Sequence, residues 1–437
     1  MGYPPLPDFK RLTEEITFYA QLKHEYGAKG IPAILREVEH HLRTAASHLK
    51  RAPIDQDLAA REPNDFLNIR ALRPDGPRRI WNSLSDEYTA KLEGAFIGRM
   101  AGCTLGAPVE FWPIATMKAL AEENGDPFPP TDYWKYVPEP AMLRYGVSPR
   151  IAYTHSGMNG VPVDDDLMYT VLGLLVVELH GTDFTTADIA RTWLRYLPHA
   201  CTAEDVALNN LKAGCSPFEA GEKENPYCEW IGADIRADPW GYLAPGWPER
   251  AAALAYRDAY LSHRRQGIYG AMFFASAISA AFTVDDPLLA LRIGLTEVPE
   301  QSALAQAVRW ALEVSREIRD HRHAREALEA QFPGMSRVHT INNACLTIWG
   351  LTIGRTDFTR VIGETVAMGM DNDCNAATAG SIIGAIVGAK GIDDKWRARF
   401  HDTLHSYLTG CEQFSISDLL RRFAHQARNV HGSALTP

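Results

Sequence analysis

Apolar residues in this chain recur mostly at helical spacing. Leu12, Ile16, Tyr19 and Leu22 share one face over residues 10–26, and Gly27 reads as the stop. A second amphipathic segment spans residues 32–50, with Ile34, Leu35, Val38, Leu42, Ala45 and Leu49 on its apolar side. Residues 51–79 are rich in Pro, Asp and Arg, show little periodicity, and read as a connecting segment. From Ser85 onward helical spacing returns at 86–107, 167–180, 186–197, 249–262, 268–282, 302–331, 340–353, 359–368 and 375–389. Alternating β-branched runs are scarce, and no solenoid repeat is present. The pattern predicts an all-α protein: an N-terminal helical extension and linker over residues 1–80, then a main domain over 81–437. Gly- and Pro-rich stretches at 125–163 and 214–248 are long loops, which in a compact domain often carry function.

Two glycine series stand out within these helices. Gly94, Gly98, Gly102 and Gly106 recur every four residues, as do Gly380, Gly384 and Gly388. Glycine inside a helix costs about 1 kcal/mol relative to alanine, so seven such positions need a reason. Spacing of four places each set on one face. Close approach of two helices follows, and it brings Glu110, just beyond the first series, toward whatever precedes the second.

Composition narrows the functional classes. The 437 residues are 46% hydrophobic and 22% charged, as in a globular protein. The net charge of −10 offers no basic platform for nucleic acid. Seven cysteines with no CxxC spacing argue against a disulfide framework or a thiolate zinc site. The N-terminal segment lacks the apolar core of a signal peptide, and the small-residue stretch from Ala376 to Ala389 is shorter than the roughly 20 residues a membrane span needs. A cytoplasmic location without membrane attachment is the expectation.

The candidate chemistry lies in two acidic clusters at the mouths of apolar helical runs, Asp164-Asp165-Asp166 and Asp371-Asn372-Asp373. One aspartate at a helix start is a favoured cap. Three and two carboxylates exceed what capping requires, and together they suit a hard divalent cation, magnesium first. Known loops fail elsewhere. Aligning Asp371 with the first position of an EF-hand puts Ala376 where Gly is needed and Ile382 where Glu is needed. The DDxxD pattern is absent in all three registers of the first cluster, and no P-loop, GxSxG or HExxH occurs.

The segment from Gly94 to Phe111, with its glycine series and Glu110, resembles the opening helix and loop of the ADP-ribosylglycohydrolase family. Asp164-Asp165-Asp166 is similar to that family's Thr-Asp-Asp-Thr motif. The run from Gly369 to Gly380 is similar to its Gly-Gly-Asp-Thr-Asp-Thr motif. Three motifs in order extend the resemblance over residues 86–395. It implies an all-α fold with two magnesium ions, or manganese, between the acidic motifs. Carried over, Asp165, Asp166, Asp371 and Asp373 would be ligands. Asp164 and Cys374 would stand at threonine positions that border the metals and, for Asp164, the substrate. Glu110 would approach the metals, and Gly232 and Arg236 would belong to a substrate-side loop, Arg236 toward a phosphate. The register at 164–166 can slide by one residue. Cys103 replaces the usual aspartate of the opening helix, and Leu167 and Cys374 replace threonines, so hard oxygen ligands are lost.

The activity implied is hydrolysis of an N- or O-glycosidic bond to ribose, releasing ADP-ribose from an ADP-ribosylated protein or small conjugate. Two ions would hold ribose hydroxyls and activate water, with Glu110, Asp165 and Asp166 as the catalytic acids and bases. The alternatives are a hydrolase of another small N-riboside and a crystallin-like binding protein that keeps the fold without turnover. The aromatic residues of 133–153 and 227–247 and the histidines His155 and His263 read as packing groups before ligand contacts.

Overall fold

The computed structural model describes residues 3–4 and 6–432. The chain separates into two compact units, one ending at Ala60 and one beginning at Arg61.

The first unit is a pair of helices, α1 (Phe9–Glu25) and α2 (Ile31–Lys50). The Asp8 carboxylate accepts the Arg11 amide at 2.9 Å and so caps α1, while Lys23 and His24 sit at its negative end. Gly30, in the left-handed region at φ 86°, starts α2, with Pro32 in the first turn. Neither helix buries a residue, and Ile16, Leu35, Val38 and Leu42 line a groove between them.

Among the described residues of the second unit the regular elements are helices, joined by long loops, apart from short antiparallel hairpins β1 (Leu143–Arg144) with β2 (Ser148–Pro149) and β3 (Thr403–Leu408) with β4 (Cys411–Ser415). Six of its helices set up the site: α3 (Tyr88–Gly106), α4 (Asp165–His180), α5 (Gln266–Ala281), α6 (Thr340–Gly354), α7 (Phe358–Ala367) and α8 (Asn372–Val387). Every residue of α5 is buried, which is why its sequence is apolar all round.

The two glycine series meet each other along α3 and α8. A Cβ on Gly94 would stand 2.3 Å from the Gly384 carbonyl oxygen, one on Gly98 2.1 Å from that of Gly380, and one on Gly102 2.0 Å from that of Ala376. At the end nearest the acids, a Cβ on Gly106 would lie 2.5 Å from the Asp373 Cα. The backbones touch at a separation no side chain permits, and the missing Cβ atoms are the reason for the glycines.

The helices differ from the sequence pattern in identifiable places. The periodic run 302–331 is two helices, Ala303–Val314 and His321–Gln331, because Asp320 takes the amides of Arg322 and His323 and starts the second. Helices at Ile114–Asn124, Thr202–Lys212 and Ile416–Gly432 add to those expected. Residues 61–80 belong to the second unit, although they resemble a linker. Arginines anchor them: Arg73 pairs with Glu249 and Glu297 at 2.5 Å each, and Arg78 with Glu297 at 2.8 Å. Ion pairing leaves no apolar period to read.

Candidate functional site

Three helix ends converge on the acidic residues. After α3 the chain makes a short 3-10 turn, Ala107–Val109, and presents Glu110. The Phe111 amide donates to the Met370 carbonyl at 3.0 Å, tying this loop to the one that precedes α8. That second loop passes through left-handed backbone at Gly369 (φ 70°) and Met370 (φ 62°), which turns Asp371 and Asp373 toward Glu110. Asp164 is the N-cap of α4, and its Oδ1 accepts the Asp166 amide at 3.3 Å. The N-termini of α4 and α8 thus point their positive dipole ends at a shared group of carboxylates.

These carboxylates are deeply buried: Asp164 and Asp166 are fully enclosed, and Asp371 and Asp373 nearly so. Two arginines make that tolerable. Arg99, fully buried in α3, reaches the Asp166 backbone oxygen at 2.7 Å and its Oδ1 at 3.2 Å, and pairs with Asp238 at 2.7 Å. Arg144, on the β1 strand, lies among the acids themselves. Its Nη1 donates to the Ala107 carbonyl at 2.8 Å and to Glu110 Oε2 at 2.9 Å. Its Nη2 donates to Asp164 Oδ2 at 2.9 Å and Asp373 Oδ2 at 3.2 Å. Beside them, the Tyr145 hydroxyl donates to Asp165 Oδ1 at 2.8 Å.

Burial, reinforced by neighbouring carboxylates, pushes Asp165, Asp166 and Asp373 well above the usual carboxylate range. Burial and the charge of Glu110 push Asp371 up to about 7. Glu110 is raised by burial, against the pull of Arg144. Such a group of acids is held at a cost that a bound cation reverses.

The donor atoms fit a divalent ion. Asp166 Oδ2, Asp371 Oδ1 and Asp373 Oδ1 are buried and accept no hydrogen bond within the protein. They are hard oxygens, the ligand type magnesium and manganese prefer. One ligand atom each from Asp371, Asp373 and Cys374 lies within 4.8 Å of the others, as does one each from Cys103, Asp164 and Asp166. Burial pushes both thiols well up, so Cys103 and Cys374 remain neutral.

A cavity of about 270 Å³ opens against this cluster. Glu110, Asp165, Asp371, Asp373 and Cys374 line it, together with Tyr145, Tyr169, Glu204, Trp230 and Gly232 among others. Gly232 lines the cavity from the 3-10 turn Ile231–Arg236, and its lack of a Cβ matters: one would meet the Glu204 carboxylate at 2.2 Å. Arg236 is not brought to the cavity. Its guanidinium pairs with Glu204 and Asp258 at 2.8 Å each and sits over the Trp193 ring, only 2% exposed. The expectation of a phosphate contact is therefore corrected: Arg236 braces Glu204, which does line the cavity and whose carboxyl burial raises to about 7. His263 is buried and held by Ser262, as a packing group.

Sequence reasoning missed Arg99, Arg144, Tyr145 and Glu204. Arg99 had a signal, since an arginine inside a glycine-stripe helix must be buried and needs a counter-charge. Arg144 had none, because it lies on a two-residue strand 20 residues before the cluster it serves.

Among the described residues no helix is long and apolar enough to cross a membrane. The chain is similar to a solved structure described as an ADP-ribosylglycohydrolase-related protein complex. Identity is 20% and the TM-score 0.50, over 79% of this chain and 100% of that one, a likeness in fold. No curated protein matches the sequence significantly. The family model for ADP-ribosylglycohydrolase matches residues 84–430, the stretch that holds α3, both acidic motifs and the cavity. The chain belongs to the ADP-ribosylglycohydrolase family.

Proposed function

We propose that this protein hydrolyses a glycosidic bond to ribose in a divalent-cation-dependent reaction, releasing ADP-ribose from an ADP-ribosylated protein or small molecule. The observation that carries the reading is the meeting of the two acidic motifs, more than 200 residues apart: Asp165, Asp371 and Asp373 line one cavity, and Asp166 Oδ2, Asp371 Oδ1 and Asp373 Oδ1 are buried without a partner. Asp166, Asp371 and Asp373 would hold the cation, with Asp164 and Asp165 beside it and Cys374 as a neutral border. The cation, magnesium in this reading, would supply a lowered pKa for bound water and a grip on ribose hydroxyls.

The protein's own groups do the rest. Glu110 faces the same cavity with its carboxyl raised by burial, and it serves as the base that orients and deprotonates the attacking water. Asp165, steadied by the Tyr145 hydroxyl, stabilises the positive charge that develops on the ribose as the leaving group departs. The low-dielectric wall of Tyr169, Trp230 and Ile235 excludes bulk water from the bond being cut.

The test is incubation of the purified chain with ADP-ribosyl-arginine and with O-linked ADP-ribose, in Mg2+ and then in EDTA, with free ADP-ribose measured by mass spectrometry. Release in Mg2+ that is lost in EDTA supports the reading. Metal-independent release, or none from either conjugate, contradicts it.

A further inference from the structure

We infer that Arg144 is a built-in cation that fills half of the acidic cluster, so that the site takes a single divalent ion rather than two. The inference rests on reading the cluster as a divalent-cation centre and specifies how that centre is filled.

The cluster divides into two sets of oxygens with different partners. Glu110 Oε2, Asp164 Oδ2 and Asp373 Oδ2 all receive the Arg144 guanidinium, at 2.9, 2.9 and 3.2 Å. Asp166 Oδ2, Asp371 Oδ1 and Asp373 Oδ1 receive nothing from the protein. Asp373 belongs to both sets, one oxygen to each, and is the seam between them.

The first set leaves no route for an ion. Asp164 Oδ2 and Asp373 Oδ2 share one nitrogen of the guanidinium, and Glu110 shares the other with the Ala107 carbonyl. A divalent ion of magnesium size binds oxygens at about 2.1 Å, so one bridging Asp164 and Asp373 must displace that nitrogen. Displacement is opposed by where the arginine lies. Its side chain is 16% exposed, and its guanidinium lies near the rings of Tyr145 (5.5 Å) and Tyr153 (5.7 Å). The strand carrying it is pinned to Ser148–Pro149 across a turn with left-handed Tyr145 and Gly146. A guanidinium cannot shed its proton in a protein, so it cannot yield to an ion by neutralising. Pulling it out would leave it to find other carboxylates or water, at the cost of four charge-assisted or carbonyl hydrogen bonds.

The second set is complementary. Three buried hard oxygens, one from α4 and two from the N-terminal end of α8, take no donor from the protein, and Asp371 and Asp373 offer ligand atoms within 4.8 Å of the neutral Cys374 thiol. That number of protein oxygens suits one octahedral ion that retains water.

The deciding measurement is the number of Mn2+ ions bound by the full-length chain, read from the loss of the free Mn2+ EPR signal during titration. One ion per chain is expected for the wild type. Two are expected for Arg144→Gln, which removes the charge and opens the first set, and one for Arg144→Lys, which keeps it. Two ions in the wild type would overturn the inference and leave the cation-dependent reading intact. One ion in both the wild type and a folded Arg144→Gln would overturn it as well. Binding of no ion by any of the three would overturn the cation reading and the inference together. A thermal melt of each variant checks folding, and should Arg144→Gln not fold, the wild-type count still decides.

Discussion

Replacing Gly106 with alanine tests whether the glycine stripe serves the site or only the packing. The added Cβ would stand 2.5 Å from the Asp373 Cα and 2.6 Å from its nitrogen. Carbon atoms in contact sit about 3.5–4.0 Å apart, so the ends of α3 and α8 must separate by about 1 Å. Overpacking of this kind costs about 1–3 kcal/mol, offset by up to ~1 kcal/mol gained when glycine leaves a helix. On the proposed reading the larger effect is expected on cation affinity, because ligand distances are tolerated only to about ±0.2 Å and Asp373 is displaced at its backbone. Gly94→Ala is the control. It meets the Gly384 carbonyl oxygen at 2.3 Å, a comparable clash, but lies about 18 Å further along the helix by the rise per residue. Both variants are expected to melt lower than wild type in EDTA. Mn2+ affinity is expected to fall by about 10-fold or more in Gly106→Ala, as it does when groups that support metal ligands are lost, and to stay within about 2-fold in Gly94→Ala. Unchanged affinity in Gly106→Ala, or an equal loss in Gly94→Ala, would refute the argument that the α3–α8 contact sets the metal ligands.

Two further outcomes follow from the same electrostatics. Asp371→Asn removes a buried carboxylate that is raised to about 7, so at pH 8 in EDTA the variant should melt higher than wild type. It should also lose the Mg2+ stabilisation of about 2.7 kcal/mol that ligand at 100 times its Kd confers; a retained Mg2+ shift would contradict the assignment. His339, whose Nδ1 accepts the Ile341 amide at 3.2 Å, is lowered to about 4 by burial and by the charge of Arg265. The unfolded chain therefore binds an extra proton between pH 6.5 and about 4, and stability drains as pH falls through that window, by about 3 kcal/mol. His339→Asn, which can still cap the helix, should flatten that part of the pH–stability curve, and equal acid sensitivity of the two proteins would count against it.

The helices and the meeting of the acidic clusters were legible because each leaves a local mark. Periodicity of 3.6 marks α3 through α8, glycine at every fourth place marks a backbone contact, and surplus aspartates at a helix start mark more than a cap. The partners of the balancing charges were not legible. Arg99 and Arg144 are bound to partners 67 and 229 positions away, and nothing beside them in the sequence names those partners. Arg236 misled for the same reason: a loop arginine near a cavity looks the same in sequence whether it faces a ligand or, as here, Glu204 and Asp258 behind it. Residues 61–80 hid likewise, since arginine–glutamate anchors carry no hydrophobic period.

The most direct test of the account is a crystal of the full chain grown with Mn2+ and ADP-ribose, examined by anomalous scattering. The account predicts one manganese peak bonded to oxygens of Asp166, Asp371 and Asp373, with the ribose of ADP-ribose in the adjoining cavity beside Glu110. A manganese ion bound elsewhere, or ADP-ribose lodged away from that cavity, would contradict it.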